Sequence, residues 1–191
     1  MKKFKNIILI ATISLVSIVN AQASTKLKME EQKGKTEFLA VGNPGFLKIN
    51  GKGNGPKAEF EIKDNVLNGK FEIDLKTLDT GMSLRNTHMK EKYLQIDKFP
   101  NAVLTIENQK LAENWSLDKP EIKGKKIAGQ LEVHGVRKPV EVLYSLNNDK
   151  KIQAEFDIKI SDFNIEIPSF MGVTVADKVT VKVESEIKNA N

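Results

Sequence analysis

Apolar and polar residues alternate at every second position through several long stretches of this chain, and that period admits strands with one dry and one wet face while excluding a helical protein. The pattern is plain in Phe60-Glu61-Ile62, in Phe71-Glu72-Ile73-Asp74-Leu75 and throughout residues 152–160. The longest run places Val173, Val175, Val179, Val181 and Val183 in phase, and Ile187 follows after Ser185. The intervening Glu, Lys and Asp belong to the wet face. Turn formers separate the runs: Asn43-Pro44-Gly45, the glycine-rich residues 51–56, Asn68-Gly69 and Asn147-Asn148-Asp149. Asn68-Gly69 reads as a tight hairpin between Val66-Leu67 and Phe71, and residues 51–56 read as another. The expected fold is all-β, with about eight antiparallel strands, the number at which a closed barrel just encloses a ligand. No segment repeats and no linker divides the chain.

Two stretches break the alternation. In residues 80–94, Met82, Met89 and Tyr93 fall at helical spacings, with Arg85 and His88 one turn apart. This predicts a short helix over one end of the barrel, followed by a Phe99-Pro100 turn and a strand from Ala102 to Ile106. Residues 167–172 put Ile167, Phe170 and Met171 in a loop. Such a loop either forms a ligand rim or plugs the barrel end, and the sequence leaves both open.

The N-terminus reads as an export signal. Lys2, Lys3 and Lys5 precede an apolar stretch, residues 7–19, of about 13 residues, and Ala21-Gln22-Ala23 supplies small residues for a peptidase. Cleavage is expected after Ala23, leaving residues 24–191 as one domain in the periplasm. The stretch is shorter than the roughly 20 residues a membrane-spanning helix needs, and no transmembrane segment is expected after cleavage. The chain carries a formal charge of +5, and three of its lysines lie in residues 1–23, leaving +2. That small charge, spread among alternating Lys and Glu, argues against nucleic acid as a partner. There is no cysteine, so disulfides, thiol chemistry and Cys-ligated metals are excluded, and the domain depends on its apolar interior.

Nothing assembles a catalytic site. His88 and His134 are the whole imidazole supply, and no His-x-x-x-His or His-x-Glu spacing suggests zinc. Gly-x-Ser-x-Gly is absent. Gly51-Lys52-Gly53-Asn54-Gly55 lacks the Gly-Lys-Ser/Thr end of a phosphate loop. No metal, cofactor or catalytic residue is expected. Arg85 with His88 is the one polar pair on the predicted helix. It reads either as headgroup recognition at a barrel mouth or as a tie that bonds loop carbonyls. Trp115, in a loop between strands, packs on the core or meets a surface.

The residues also carry a resemblance. Residues 69–81, Gly-Lys-Phe-Glu-Ile-Asp-Leu-Lys-Thr-Leu-Asp-Thr-Gly, lead into Arg85-Asn86-Thr87-His88-Met89 and then into residues 93–102, Tyr-Leu-Gln-Ile-Asp-Lys-Phe-Pro-Asn-Ala. Gly129-Gln130-Leu131 through Gly135-Val136-Arg137-Lys138-Pro139-Val140 follows, and then Ser161-Asp162-Phe163 through Val175-Ala176-Asp177-Lys178-Val179. Together these resemble the YceI-like family of exported bacterial proteins. The chain has Asn86, Phe99 and Asn164 where that family often has Asp, Tyr and Gly. The resemblance implies an eight-stranded antiparallel, lipocalin-like barrel with a short helix at its mouth. It also implies a lipid-like ligand such as a polyisoprenoid, an isoprenoid quinone or a fatty-acid derivative, and frequent pairing as a homodimer.

The expected function is therefore a non-enzymatic carrier for a long apolar or amphiphilic molecule. Arg85 and His88 are the candidate polar groups at the mouth. Met82, Met89, Phe163, Phe170 and Met171 are the candidate apolar neck, since flexible methionines adapt to varied ligands. A continuous apolar cavity is its requirement. Two alternatives stand beside it: a packed barrel that binds a protein through its loops, and an enzyme acting on a bound lipid, which needs a polar cluster deep in the cavity.

Overall fold

Strands form wherever the sequence alternates. The computed structural model describes residues 24–43, 45, 48–112, 115–170 and 173–190, excepting the side chains of 43, 170 and 173. The expected export signal lies outside these residues. The strands are β1 (Thr25–Met29), β2 (Lys35–Asn43), β3 (Lys48–Asn54), β4 (Lys57–Lys63), β5 (Val66–Asp74), β6 (Asn101–Lys110), β7 (Ile122–Val133), β8 (Val136–Leu146), β9 (Lys151–Lys159), β10 (Ser169–Phe170), β11 (Val173–Glu186) and β12 (Lys188–Asn189). Between β5 and β6 lies a short helix, α1 (Ser83–Thr87), continued by a π-helical turn (His88–Tyr93). Every pairing is antiparallel.

Three expectations change. The first is strand count and closure. Among the described residues there are twelve strand segments, and the hydrogen-bonded path runs β12-β1-β4-β5-β6-β7-β8-β9-β11-β2-β3, with β10 attached to β11. The path is open, so the sheet is strongly curled rather than a closed ring of eight strands. Local breaks explain the higher count. A 3-10 turn (Glu31–Lys33) separates β1 from β2. Gly55-Pro56 separates β3 from β4, where proline has no N–H to give the ladder. Ile187 separates β11 from β12. The pieces stay adjacent, because β12 pairs β1 while β11 pairs β2.

The second and third corrections concern turns. Asn68-Gly69 lies inside β5, and the hairpin turn is Asp64-Asn65, whose φ angles of 54° and 58° fit a type I′ turn. Residues 51–56 run through β3 into β4 and make no hairpin. Asn164, where the resembled family often has Gly, is left-handed at φ 57°, the conformation for which glycine and asparagine are suited.

The pleat sorts the side chains. Along β9 and β11 the register sets Ile158 opposite Val179, Phe156 opposite Val181 and Ala154 opposite Val183 on the inner face. On the outer face Lys182 meets Glu155 at 3.2 Å and Lys178 meets Asp157 at 2.9 Å. These exposed pairs add little stability. The inner face buries three apolar clusters: one around Leu27, Phe60 and Leu146 near the 111–121 loop, one around Leu131, Phe163 and Val179 near α1, and Ile106, Ile127 and Val142 between.

The β7–β8 hairpin has ten residue pairs, from Ile122–Leu146 to Val133–Val136. It joins β6 only at Val103–Thr105, opposite residues 130–132, and β9 only at Leu143–Leu146.

Gly69 faces Phe60 across β4 and β5, and a Cβ there would lie 2.3 Å from the Phe60 Cβ. That atom is fixed by the backbone and has no room to retreat. The Phe60 and Phe71 rings, 5.5 Å apart, fill the space beside the glycine. Gly69→Ala is expected to cost about 1–3 kcal/mol. Urea unfolding checks this, with a lower midpoint and an unchanged slope.

Candidate functional site: an apolar cavity beneath a short helix

The inward side chains do not meet across the sheet. They surround a cavity of about 590 Å³, within the range of small-molecule sites. Its wall is built from nearly every long strand, including Phe38, Phe60, Phe71, Leu104, Ile127, Val142, Phe156 and Val181. Interiors rarely hold voids much larger than a water molecule, so a space of this size is a built site. No carboxylate or lysine lies among the described lining residues. The titratable ones are Arg85, His88, Tyr93 and Tyr144, and burial pushes the Tyr144 phenol above its ordinary 10.0. A wall of this kind is suited to apolar matter.

The two ends are closed differently. At one end Leu111, Trp115 and Leu117 reach in from the loop between β6 and β7. Trp115 therefore packs on the core, against the cluster of Leu27, Phe60 and Leu146. At the other end sits α1. Gly81, at φ 77°, turns the chain out of the strand, and the residues after it lack the alternation that would return it. The helical spacing of Met82, Met89 and Tyr93 brings all three to the cavity, with Leu84 and Leu94. Pro168 and Ser169 of the second irregular stretch also line it.

A polar network holds α1 in place. The Asn86 Oδ1 accepts from the Thr80 backbone N–H at 2.8 Å and from its hydroxyl at 2.7 Å. The Asn86 Nδ2 donates to the Asp79 Oδ1 at 2.6 Å, which also accepts the Gly81 N–H at 2.8 Å. The Arg85 Nε donates to the Thr80 hydroxyl at 2.9 Å and its Nη2 to the Thr80 carbonyl at 2.7 Å. The Lys90 Nζ donates to the Lys76 carbonyl at 2.7 Å.

Of the candidate residues, Met82, Arg85, His88 and Met89 all line the cavity. Arg85 also serves the tying role, since two of its donors go to Thr80. Phe163 requires a correction. It is 3 % exposed and packs in the cluster with Leu131, Ile160 and Ile165, and it is not among the lining residues. Its 3-10 turn (Ile160–Phe163) turns the ring into the wall, where its carbonyl lies 3.2 Å from the His134 Nδ1. His134 is thus a structural histidine, stacked edge-on with Phe99 at 4.7 Å. Phe170 lies in β10 with its side chain outside the described atoms, and Met171 lies outside the described residues.

The sequence reading missed Thr80, Asn86 and the apolar floor formed by Leu111, Trp115 and Leu117. Asn86 carried a signal, as an amide placed between Asp79 and an arginine. Thr36 was also missed. It is 3 % exposed and lines the cavity, and its hydroxyl makes no hydrogen bond among the described residues.

The network sets an acid limit for α1. The Asn86 amide, the Gly81 N–H and nearby lysines hold the Asp79 carboxyl below its ordinary 3.8. A depressed carboxyl stabilises the folded form while ionised, so this contribution is whole at neutral pH. It is lost as the pH falls through the lowered value. Amide exchange in residues 80–94, relative to its intrinsic rate at each pH, should therefore quicken selectively below pH 3.8. Asn86→Ala, which strands three partners, should quicken it already at neutral pH and cost about 1–2 kcal/mol.

The YceI-like domain family matches residues 12–187. No curated protein matches the chain. Among solved structures, a polyisoprenoid binding domain from Saccharophagus degradans, implicated in plant cell wall breakdown, is similar at a TM-score of 0.66 and 14 % identity. That likeness covers 86 % of this chain and 98 % of the other. Burkholderia cenocepacia BcnA is similar at 0.61 and 17 % identity, over 84 % of this chain and 99 % of its own. At these identities the structures speak to the fold alone. The sequence match spans most of the chain, from the N-terminal apolar stretch to the last long strand, and places this protein in the YceI-like family.

Proposed function

We propose that the protein is an exported, non-enzymatic carrier that holds one long apolar or amphiphilic molecule, such as a polyisoprenoid, an isoprenoid quinone or a fatty-acid derivative. The cavity carries this reading. An apolar void of this size has little to hold water, and an alkyl or prenyl chain entering it gains roughly 25 cal/mol per Å² of apolar surface removed from water. The similarity in fold to a structure named for polyisoprenoid binding supports the same class of ligand.

The ends of the cavity suggest an orientation. Leu111, Trp115 and Leu117 close one end with apolar surface, suited to the tail of the ligand. Arg85 and His88 line the helical end and suit its polar head. The Arg85 guanidinium has five donors, two of them assigned to Thr80. Met82 and Met89 form the neck between head and tail, joined in this proposal by Phe170 and Met171.

Native mass spectrometry of the protein purified from its own source, with organic extraction of whatever it releases, tests the proposal. The expected result is a bound species on the order of a few hundred daltons bearing a long hydrocarbon chain. Ala154 lines the middle of the cavity between Tyr144 and Val183. Ala154→Phe should cut the bound fraction severalfold with little change in fold. An apo mass, with no uptake from added lipid extract, would refute the carrier and leave the packed interaction protein as the better reading.

A further inference from the structure

We propose that the face of α1 is a docking surface for a lipid bilayer with anionic headgroups. Met82 and Leu84 enter the interface, and basic side chains around them meet the headgroups. This inference rests on the carrier reading and names where the ligand is exchanged.

Among the described residues only three large apolar side chains are strongly exposed: Met82 at 56 %, Leu84 at 59 % and Leu143 at 46 %. The first two lie on the element that covers the cavity, and both also line it. They are thus continuous with the apolar interior on one side and open to water on the other. Their surroundings are basic. Residues 76–93 hold Lys76, Arg85, Lys90 and Lys92 against Asp79 and Glu91, and Glu166, just before the second irregular stretch, lies 3.8 Å from Lys92, so Lys76, Arg85 and Lys90 carry the basic character. Asp79 is turned to Asn86 and Gly81. The bond from Lys90 to the Lys76 carbonyl brings the two lysine-bearing segments together beside the helix.

Apolar side chains ringed by cations suit an anionic membrane surface, where each basic residue adds to the attraction. The ligand chemistry points the same way. A molecule long enough to fill the cavity partitions strongly into bilayers, so little of it is free in water to be captured. Contact between the mouth and the bilayer gives it a path that never crosses water.

The chain has no cysteine, so single labels report cleanly. Ser83, exposed between Met82 and Leu84, is replaced by Ser83→Cys and labelled with a polarity-sensitive fluorophore. Leu143→Cys serves as the control. Vesicles of phosphatidylcholine with phosphatidylglycerol are compared with phosphatidylcholine alone, and unlabelled wild type is compared with Lys76→Glu/Ser83→Glu, neither of which lines the cavity. All variants share one N-terminus, so any contribution from residues 1–23 is common to them.

The expected result is a blue shift at position 83 and none at 143. Binding to the anionic vesicles should be about tenfold tighter than to neutral ones or by the charge variant. Equal binding by the variant, equal binding to neutral vesicles, or a shift at 143 instead of 83 would overturn the proposal. So would a shift at 83 that grows with protein concentration before vesicles are added, which would assign the face to a second copy of the chain. Uptake of a fluorescent long-chain fatty acid in vesicle-free buffer separates the two inferences. Uptake without vesicle binding removes the docking surface alone, and vesicle binding without uptake removes the carrier reading alone.

Discussion

Everything in this structure follows from a sheet curled so strongly that its inner face looks at itself across a gap. A flat sheet would need a second layer to bury Phe60, Phe156 and Val181. Here the opposite wall serves as that layer, and the backbone hydrogen bonds are met by neighbouring strands. The curvature also leaves space, because side chains of this length do not reach across. The interior is therefore a lined volume rather than a solid core, and its two ends have to be closed by other elements.

The ends meet that demand by different means. Around Trp115 the closure is apolar, made by half-buried side chains that pack on Leu27 and Phe60. At α1 the side chains facing the cavity are also mostly apolar, Met82, Met89, Tyr93 and Leu94 among them, but they ride on a five-residue helix, too short to be stable by itself, and on the turn after it, held by the linked hydrogen bonds of Asp79, Thr80, Arg85 and Asn86. The bonds of Thr80 to Asn86 and of Arg85 to Thr80 are part-buried, and Leu111, Trp115 and Leu117 are half-buried. The asymmetry is one of kind: one end is closed by hydrocarbon, the other by hydrocarbon on an element tied down by a few donors and acceptors.

The strands were legible because alternation survives wherever one face is dry. Phe71-Glu72-Ile73 and residues 152–160 lie in the structure as the pattern directs, and the loss of that pattern marked residues 80–94 as helical. The turns were less legible. Asn68-Gly69 has the composition of a hairpin, yet the glycine is there because Phe60 leaves no room for a side chain, and Asp64-Asn65 makes the turn. Such a demand comes from the neighbouring strand and leaves no mark in the local sequence. Strand number was obscured similarly, since the 3-10 turn at Glu31–Lys33 and the single residue Ile187 divide runs that alternate on both sides. The site was legible in part. Met82, Arg85, His88 and Met89 were found from helical spacing, while Phe163, equally apolar and in a loop, belongs to the wall. Hydrophobicity alone does not tell a side chain that faces a cavity from one that faces its neighbours.

The β7–β8 hairpin has a mechanical consequence. It is stiff within itself, with ten pairs, but its moorings are three residues of β6 near the helical end and four of β9 near the opposite end. A panel fastened at diagonally opposite corners resists being pulled away from the wall but yields to shear. A small slide of this panel would change the girth of the cavity while leaving the ladders on the other flank in register. In the carrier proposed above, such compliance would let one container take chains of differing thickness without being rebuilt for each.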